Sequence, residues 1–258
     1  MRKFSLLFCV LTLCLISYKN SNSSEETKSD EKNLPTADNS QNALDWNGNY
    51  KGILPCADCA GIETQITLNQ DLTYIKTDKY LGKSDSIFSS QGQFKWNDAG
   101  SKISLNNDTT KQYQVGENKL FALDLKGQKI TGDLEKLYIL NKLSKDLQWL
   151  ETYWRIAEIE GNPINSETLQ NDAHLIFMVE DSLVAGSGGC NRLSGSFNLK
   201  GNNTIKISQM RSTMMACENM SVEQELNQTL QKVTQYKFEN SSLEFLNSDN
   251  QVVLKFNK

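Results

Sequence analysis

Between residues 44 and 143 no stretch holds a helical apolar period for a useful length. Apolar and polar residues alternate in short runs, each broken by turn chemistry. NGNYKGIL ends at Pro55. IETQITLN puts Ile62, Thr64, Ile66 and Leu68 on one side and polar groups on the other. LTYIKTDKYL, SIFSSQGQFKWN, KISLN, KQYQVGEN, KLFALDLKG and EKLYILNKL follow, with NQD, NDAG, NNDT, GEN and KGQ as the turns. A period of two is a strand with one buried face, and Asn, Asp and Gly turn a chain tightly. Short strands joined this closely make an antiparallel barrel or sandwich, and a closed sheet has no exposed edge. The fold class is mainly β.

Residues 148–258 read as a second unit. LETYWRIAEIEGNPI opens it, and HLIFMV, LVAGSG, LSGSFNL and NNTIKI are strand-like. SVEQELNQTLQKV is its one helix. Ser221 and Gln224 have the spacing of a capping box, and Val222, Leu226, Leu230 and Val233 make one apolar face. Two or three strands around an NSDN turn close the chain. An antiparallel sheet with one packed helix is an α+β unit. The linker falls between about Asn141 and Thr152, and Trp149 and Trp154 are placed to contribute to any contact between the units.

The N-terminus reads as an export signal over 1–18: Arg2 and Lys3, then an apolar run from Phe4 to Ile16. That run is short for a span of about 20 residues. LIS before position 18 resembles the approach to a lipid-bearing cysteine, but the residue there is Tyr18. Either the lipid attachment point is lost or Tyr18 reflects an altered sequence; without a lipidatable cysteine the mature chain is soluble after cleavage, or tethered by an uncleaved signal. Residues 19–43 are polar and nearly free of bulky apolar groups, the composition of a disordered tether. Net charge is −4 with acids and bases interspersed. Without a basic stripe, nucleic acid is not an expected partner.

Beyond the signal four cysteines remain, Cys56, Cys59, Cys190 and Cys217. An even count in an exported chain points to disulfides, and pairing within each unit gives Cys56–Cys59 and Cys190–Cys217. Cys56 and Cys59 lie in the first strand connection, PCADC. A redox pair of the thioredoxin type needs its first thiol at a helix N-terminus, and a strand follows here. Structural zinc wants four ligands, and the one histidine, His174, lies in the other unit, where it reads as a surface or edge residue. Copper(I) is soft and two thiolates alone can hold it. A local disulfide, a copper(I) site and thiol exchange stay open for this pair. Asp58 between the thiols is a harder ligand that can instead shape the turn. Near Cys217 stand Met210, Met214, Met215 and Met220, thioethers that could bind copper but more commonly fill cores. GSGGCNRLSG has the glycines of a phosphate loop without its lysine and helix; Gly186, Gly188 and Gly189 read as backbone devices.

Two resemblances follow. GNYKGILPCADCAGIETQITLNQDLTYI, then GQFKW, LFALDLKGQKI and LEKLYIL, resemble the N-terminal domain of the NlpE family of copper-resistance and envelope-stress lipoproteins, over about 45–142. Pro55, Cys56, Asp58, Cys59 and Gly61 carry the motif. The resemblance implies a small lipocalin-like barrel, a place in the cell envelope at the periplasm or outer membrane, and signalling to an envelope protein partner. GSGGCNRLSGSFNLKGNNTIKI and TMMACENMSVEQELNQTL resemble the META domain of the HslJ heat-inducible lipoprotein family, over about 148–257. Gly189, Cys190, Asn191, Arg192, Thr213, Met215, Ala216, Cys217 and Glu225 carry that motif. The domains are therefore 44–143, an NlpE-like barrel, and 148–258, a META unit. One histidine, no GxSxG turn and no HExxH helix leave no catalytic set, so the chain reads as a non-enzyme. The function expected is copper resistance or stress sensing through PCADC. The alternatives are a structural or protein-interaction module with two local disulfides, or a barrel that carries a small apolar ligand.

Overall fold

Eight strands alternate inward and outward residues as the period of two requires: β1 Gly48–Leu54, β2 Gly61–Leu68, β3 Thr73–Leu81, β4 Ile87–Trp96, β5 Lys102–Leu105, β6 Gln112–Gly116, β7 Lys119–Ala122 and β8 Ile139–Lys142. These come from a computed structural model that describes residues 38–83, 86–201 and 203–258. The export signal, Tyr18 and the tether as far as residue 37 lie outside the described residues. Each strand pairs antiparallel with the next, and β8 returns to β1 through Tyr50 opposite Lys142 and Lys51 opposite Asn141, closing a barrel. Its interior is filled by Tyr50, Ile66, Leu68, Tyr74, Phe94, Leu105 and their neighbours. The other end is polar. Buried Thr64 donates to Asp78 Oδ1 at 2.7 Å, and Asp78 pairs with Lys76. The recess there, about 300 Å³, is lined by Lys76, Asp78, Phe88, Ser90 and Tyr113 among others.

Two boundaries differ from the sequence reading. EKLYILNKL is not one strand: Glu135–Tyr138 form a 3-10 turn and β8 starts at Ile139. Leu134 and Leu137 stay exposed, because this segment runs outside the barrel before joining it. The stretch assigned to the tether is ordered from residue 38. Ser40–Ala43 form a short helix, α1, whose cap Asn39 accepts from Gln41 N and Asn42 N. Ser40 Oγ donates to Val115 O at 2.8 Å and Gln41 N to Gly100 O at 3.0 Å. Trp46 then closes that end, its ring 5.7 Å from both Phe94 and Trp96. Polar side chains here gain order from barrel carbonyls, which apolar content does not register.

The second sheet comprises β9 Tyr153–Ile159, β10 Asn162–Pro163, β11 Ala173–Met178, β12 Leu183–Gly188, β13 Arg192–Lys200, β14 Thr204–Ile207, β15 Arg211–Ser212, β16 Gln235–Glu239, β17 Ser242–Leu246 and β18 Val252–Asn257. All its pairings are antiparallel, and β18 also pairs with β9, bringing the two sides of the sheet together. Its one substantial helix, α2, runs Ser221–Leu230. The expected face holds: Leu226, Leu230 and Val233 are buried and Val222 packs against the core, although Val233 lies beyond the helix end. The capping box does not form. Met220 is the N-cap, and Ser221 donates through N and Oγ to the Asn219 side chain. Asn219 sits where an acceptor can meet the first turn, so the cap moves upstream.

Trp149 and Trp154 are not contact residues between the sheets. Both are fully buried in the second core. The sheets meet through polar groups. Lys51 of β1 lies 3.2 Å from Glu63 of β2 and donates to Thr152 Oγ1, and Tyr153 N donates to Glu63 Oε2 at 3.2 Å. Glu151 accepts from Val179 N at 2.8 Å and from Asn141 Nδ2 at 3.3 Å. Lys119 pairs with Glu180 and Lys136 with Asp181.

Candidate functional site

The loop between Leu54 and Gly61 is the PCADC segment. Pro55 ends β1, since it has no N–H for the ladder. Cys56 and Cys59 are disulfide-bonded, with Cα atoms 5.3 Å apart. Their sulfurs and an Asp58 carboxylate oxygen lie within 4.8 Å of one another. Asp58 is exposed and pairs with Lys83 at the end of the next hairpin. The hydrogen bond and charge of Lys83 hold its carboxyl below the usual carboxylate range, so Lys83, rather than a turn N–H, is its main partner. No helix follows Cys56: Gly61 leads into β2. As a donor set, two sulfurs and one carboxylate fit a soft ion only after the disulfide opens, because a thiolate and not a disulfide sulfur is the strong ligand.

The second cysteine pair closes a different arrangement. Cys190 is bonded to Cys217, with Cα atoms 6.1 Å apart. Buried Asn191 organises both strands of the motif. Its Oδ1 accepts from Thr213 Oγ1 at 2.8 Å and Met215 N at 2.7 Å, and its Nδ2 donates to Met215 O at 3.2 Å. Arg192 and Thr213 exchange further bonds through the backbone and Thr213 Oγ1. Ala216 is exposed beside Cys217. The helix carboxylate that holds this loop is Glu223, not the motif residue Glu225. Buried Glu223 accepts from Asn191 N and from Ser212 Oγ, both at 2.8 Å. The signal was present: Glu223, Leu226 and Leu230 are spaced three and four apart, so one helix face carries all three. Two of the four methionines near Cys217 in sequence are placed apart from one another. Met210 packs against the core and Met214 stands in solvent.

Gly186 and Gly189 serve the backbone. Gly189 has φ +99, which side chains disfavour. A Cβ on Gly186 would fall 2.0 Å from the His174 carbonyl oxygen, so an added methyl must force β11 and β12 apart. Gly186→Ala is expected to destabilise the protein by about 1–3 kcal/mol, the usual cost of overpacking. Urea midpoints with the disulfides intact measure this, and an unchanged midpoint would contradict the close approach.

His174 is not an edge residue. β11 lies between β9 and β12, and the ring stacks on Tyr153 with centroids 4.2 Å apart. Nδ1 lies 2.8 Å from Asp172 O, and burial holds the imidazole pKa below its usual value. His174 borders a groove of about 1250 Å³ across the open face of β11, β12, β13 and β15. Cys59 and Ala60 reach its wall from the barrel, and Cys190, Arg192, Arg211 and Met215 line the rest with their neighbours. Arg211 had no signal in the sequence, because the pairing of β15 with β13 brings it there.

A closed antiparallel barrel leading into a helix-backed antiparallel sheet, each with its own local cysteine pair, defines a two-module protein. Residues 50–133 match the family model of the NlpE N-terminal domain, and residues 145–258 match that of the META domain. The chain joins an NlpE N-terminal domain to a META domain. It is 35% identical over 85 residues to Lipoprotein NlpE of Escherichia coli (strain K12), a match that covers 31% of this chain and 35% of that protein. The chain thus spans about a third of the length of that curated relative. Among solved structures, one described as a "putative lipoprotein" from Shewanella oneidensis is 51% identical, covering 41% of this chain and 95% of that one, with a TM-score of 0.39. The Cpx pathway activator NlpE from Escherichia coli is 21% identical, covering 64% and 94%, with a TM-score of 0.29.

Proposed function

We propose that this chain is a non-catalytic envelope protein that takes part in copper resistance or envelope-stress sensing, with copper(I) held by reduced Cys56 and Cys59. The carrying observation is the PCADC loop, where two sulfurs and a carboxylate lie within 4.8 Å on an accessible connection. Copper(I) prefers thiolates, and Asp58 is already engaged by Lys83, so the cysteines are the ligands in this reading. Both must first be reduced. A second reading, a structural or protein-interaction module, is favoured by the closed state of both cysteine pairs. A small apolar ligand in the barrel is the weakest reading, because side chains fill one end and the Lys76–Asp78 pair lines the other.

Anaerobic copper(I) titration of the reduced full chain against a competing chelator separates the first two. One equivalent bound tightly is expected, lost in the Cys56→Ser, Cys59→Ser double variant and kept when Cys190 and Cys217 are replaced. Affinity no tighter than that of the double variant would leave PCADC as a pinned loop.

A further inference from the structure

We infer that the open sheet face of the META module binds an extended peptide bearing carboxylates two residues apart, with Arg192 and Arg211 as the paired recognition groups. This reading goes beyond the copper site and is independent of it. The groove of about 1250 Å³ has no Asp or Glu among its lining residues, although the chain carries 31 acids and a net charge of −4. Two of the four arginines and the only histidine of the chain border it. Arg192 and Arg211 are both exposed, and neither has an acidic partner among the described residues. The third arginine of the second module, Arg155, pairs with Asp172 instead. An excess of guanidinium in an acidic protein, gathered on one concave face, is a charge complement for an anion. Guanidinium groups match carboxylates in planar, two-point geometry.

The sheet register sets the spacing. Arg211 lies opposite Ser194, and Arg192 is two residues along β13 from Ser194. Leu193 and Ser212, the alternate pair, face the core and Glu223. Arg192 and Arg211 therefore share the open face as diagonal neighbours, about 7–8 Å apart at the backbone. An extended peptide repeats on one side every two residues, about 6.4–6.8 Å at the strand rise. Carboxylates two apart match that spacing, while adjacent carboxylates point to opposite sides. Ile176 and Ala185 supply an apolar floor between the arginine wall and His174, suited to small apolar residues of the same strand. The neutral hydroxyl of Ser194 borders it and complements peptide groups.

Fluorescence anisotropy of the oxidised full chain tests this with a fluorescein-labelled alanine–valine hexapeptide amide carrying glutamates two residues apart. Binding is expected, weakening with added salt. Affinity should fall about tenfold or more for Arg192→Gln and for Arg211→Gln, the loss of a charged hydrogen bond. The glutamine peptide, and the peptide with adjacent glutamates, should bind at least about tenfold more weakly. Far-UV circular dichroism and the urea midpoint check each variant's fold. Arg211→Gln lies on the two-residue β15 and keeps the test decisive if Arg192→Gln, next to the Asn191 network, does not fold. No binding, equal binding of the adjacent-glutamate peptide, or binding unchanged in folded Arg211→Gln would overturn the proposal. Displacement of the probe by dodecanoate at lower concentration than by unlabelled peptide would also overturn it, making an anionic amphiphile the occupant.

Discussion

Trp149→Ala is expected to destabilise the protein by about 3–5 kcal/mol, the range for removing a large buried aromatic side chain. Trp149 is fully buried, with ring centroids 4.9 Å from Tyr236, 5.2 Å from Phe177 and 6.1 Å from Phe245. It also holds its own segment to the sheet, since Trp154 Nε1 donates to the Trp149 carbonyl at 2.7 Å. Truncation opens a cavity between aromatic rings that are already packed edge to face and cannot all move inward. Trp149→Phe should cost clearly less. It keeps most of the ring contact, and the indole Nε1 it removes has no hydrogen-bond partner among the described residues, so no bond is lost. Urea unfolding followed by far-UV circular dichroism measures both variants. A loss below about 1 kcal/mol for alanine, or a larger loss for phenylalanine than for alanine, would show that Trp149 does not anchor this core.

Glu151→Gln is expected to raise stability at pH 8 and leave it unchanged near pH 4.5. Burial pushes the Glu151 carboxyl up from 4.5 to about 7, against the Val179 N–H, the Lys51 charge and the Asn141 amide, with the nearby Glu180 charge adding to the rise. Between pH 4.5 and 7 the folded protein therefore binds more protons at this site than the unfolded chain. Its contribution is fully present below 4.5, falls as pH rises to 7, and is flat above. The difference converts to about 3 kcal/mol. Lys51 acts in the opposite sense. Burial pushes it from 10.5 down to about 8, against the attraction of Glu63, so its contribution to stability rises between pH 8 and 10.5. Together they predict a minimum near pH 7–8, where both groups are charged in the seam between the sheets. Glutamine retains an acceptor for Val179 N and removes the charge. It also keeps a side chain at a position whose backbone has φ 52, so no glycine effect enters. Urea midpoints of the two proteins at pH 5 and 8 decide it. Parallel changes in both would refute the assignment to Glu151.

The copper reading and the peptide-groove reading call on different parts of the molecule, so their tests are independent. The first needs open thiols at Cys56 and Cys59. The second is performed with both disulfides closed and is read at Arg192 and Arg211. A chain that binds peptide but no copper would be an interaction module, the alternative already favoured by the closed cysteine pairs.

Local pattern determined much of this protein. Alternation over 44–143 and the turns between the runs were enough for an antiparallel barrel or sandwich, because a period-two strand can bury only one face; the pairing of β8 with β1 decided for the closed barrel. Val222, Leu226 and Leu230 placed the helix face, and the motif around Cys190 and Cys217 singled out the loops that Asn191 joins. Tertiary structure alone decided what depends on residues distant in sequence. Glu223 is a binding partner of Asn191 and Ser212 only because α2 packs behind β12. Lys51 and Glu63 on their strands and Glu151 in the connecting segment look like surface charges and become buried where the two sheets meet. Trp149 and Trp154 enter a core rather than a seam because the connecting segment folds inward on the second sheet. Arg211 faces the same groove as Arg192 because a two-residue strand pairs across β13, a register set by long-range hydrogen bonds that local sequence does not specify.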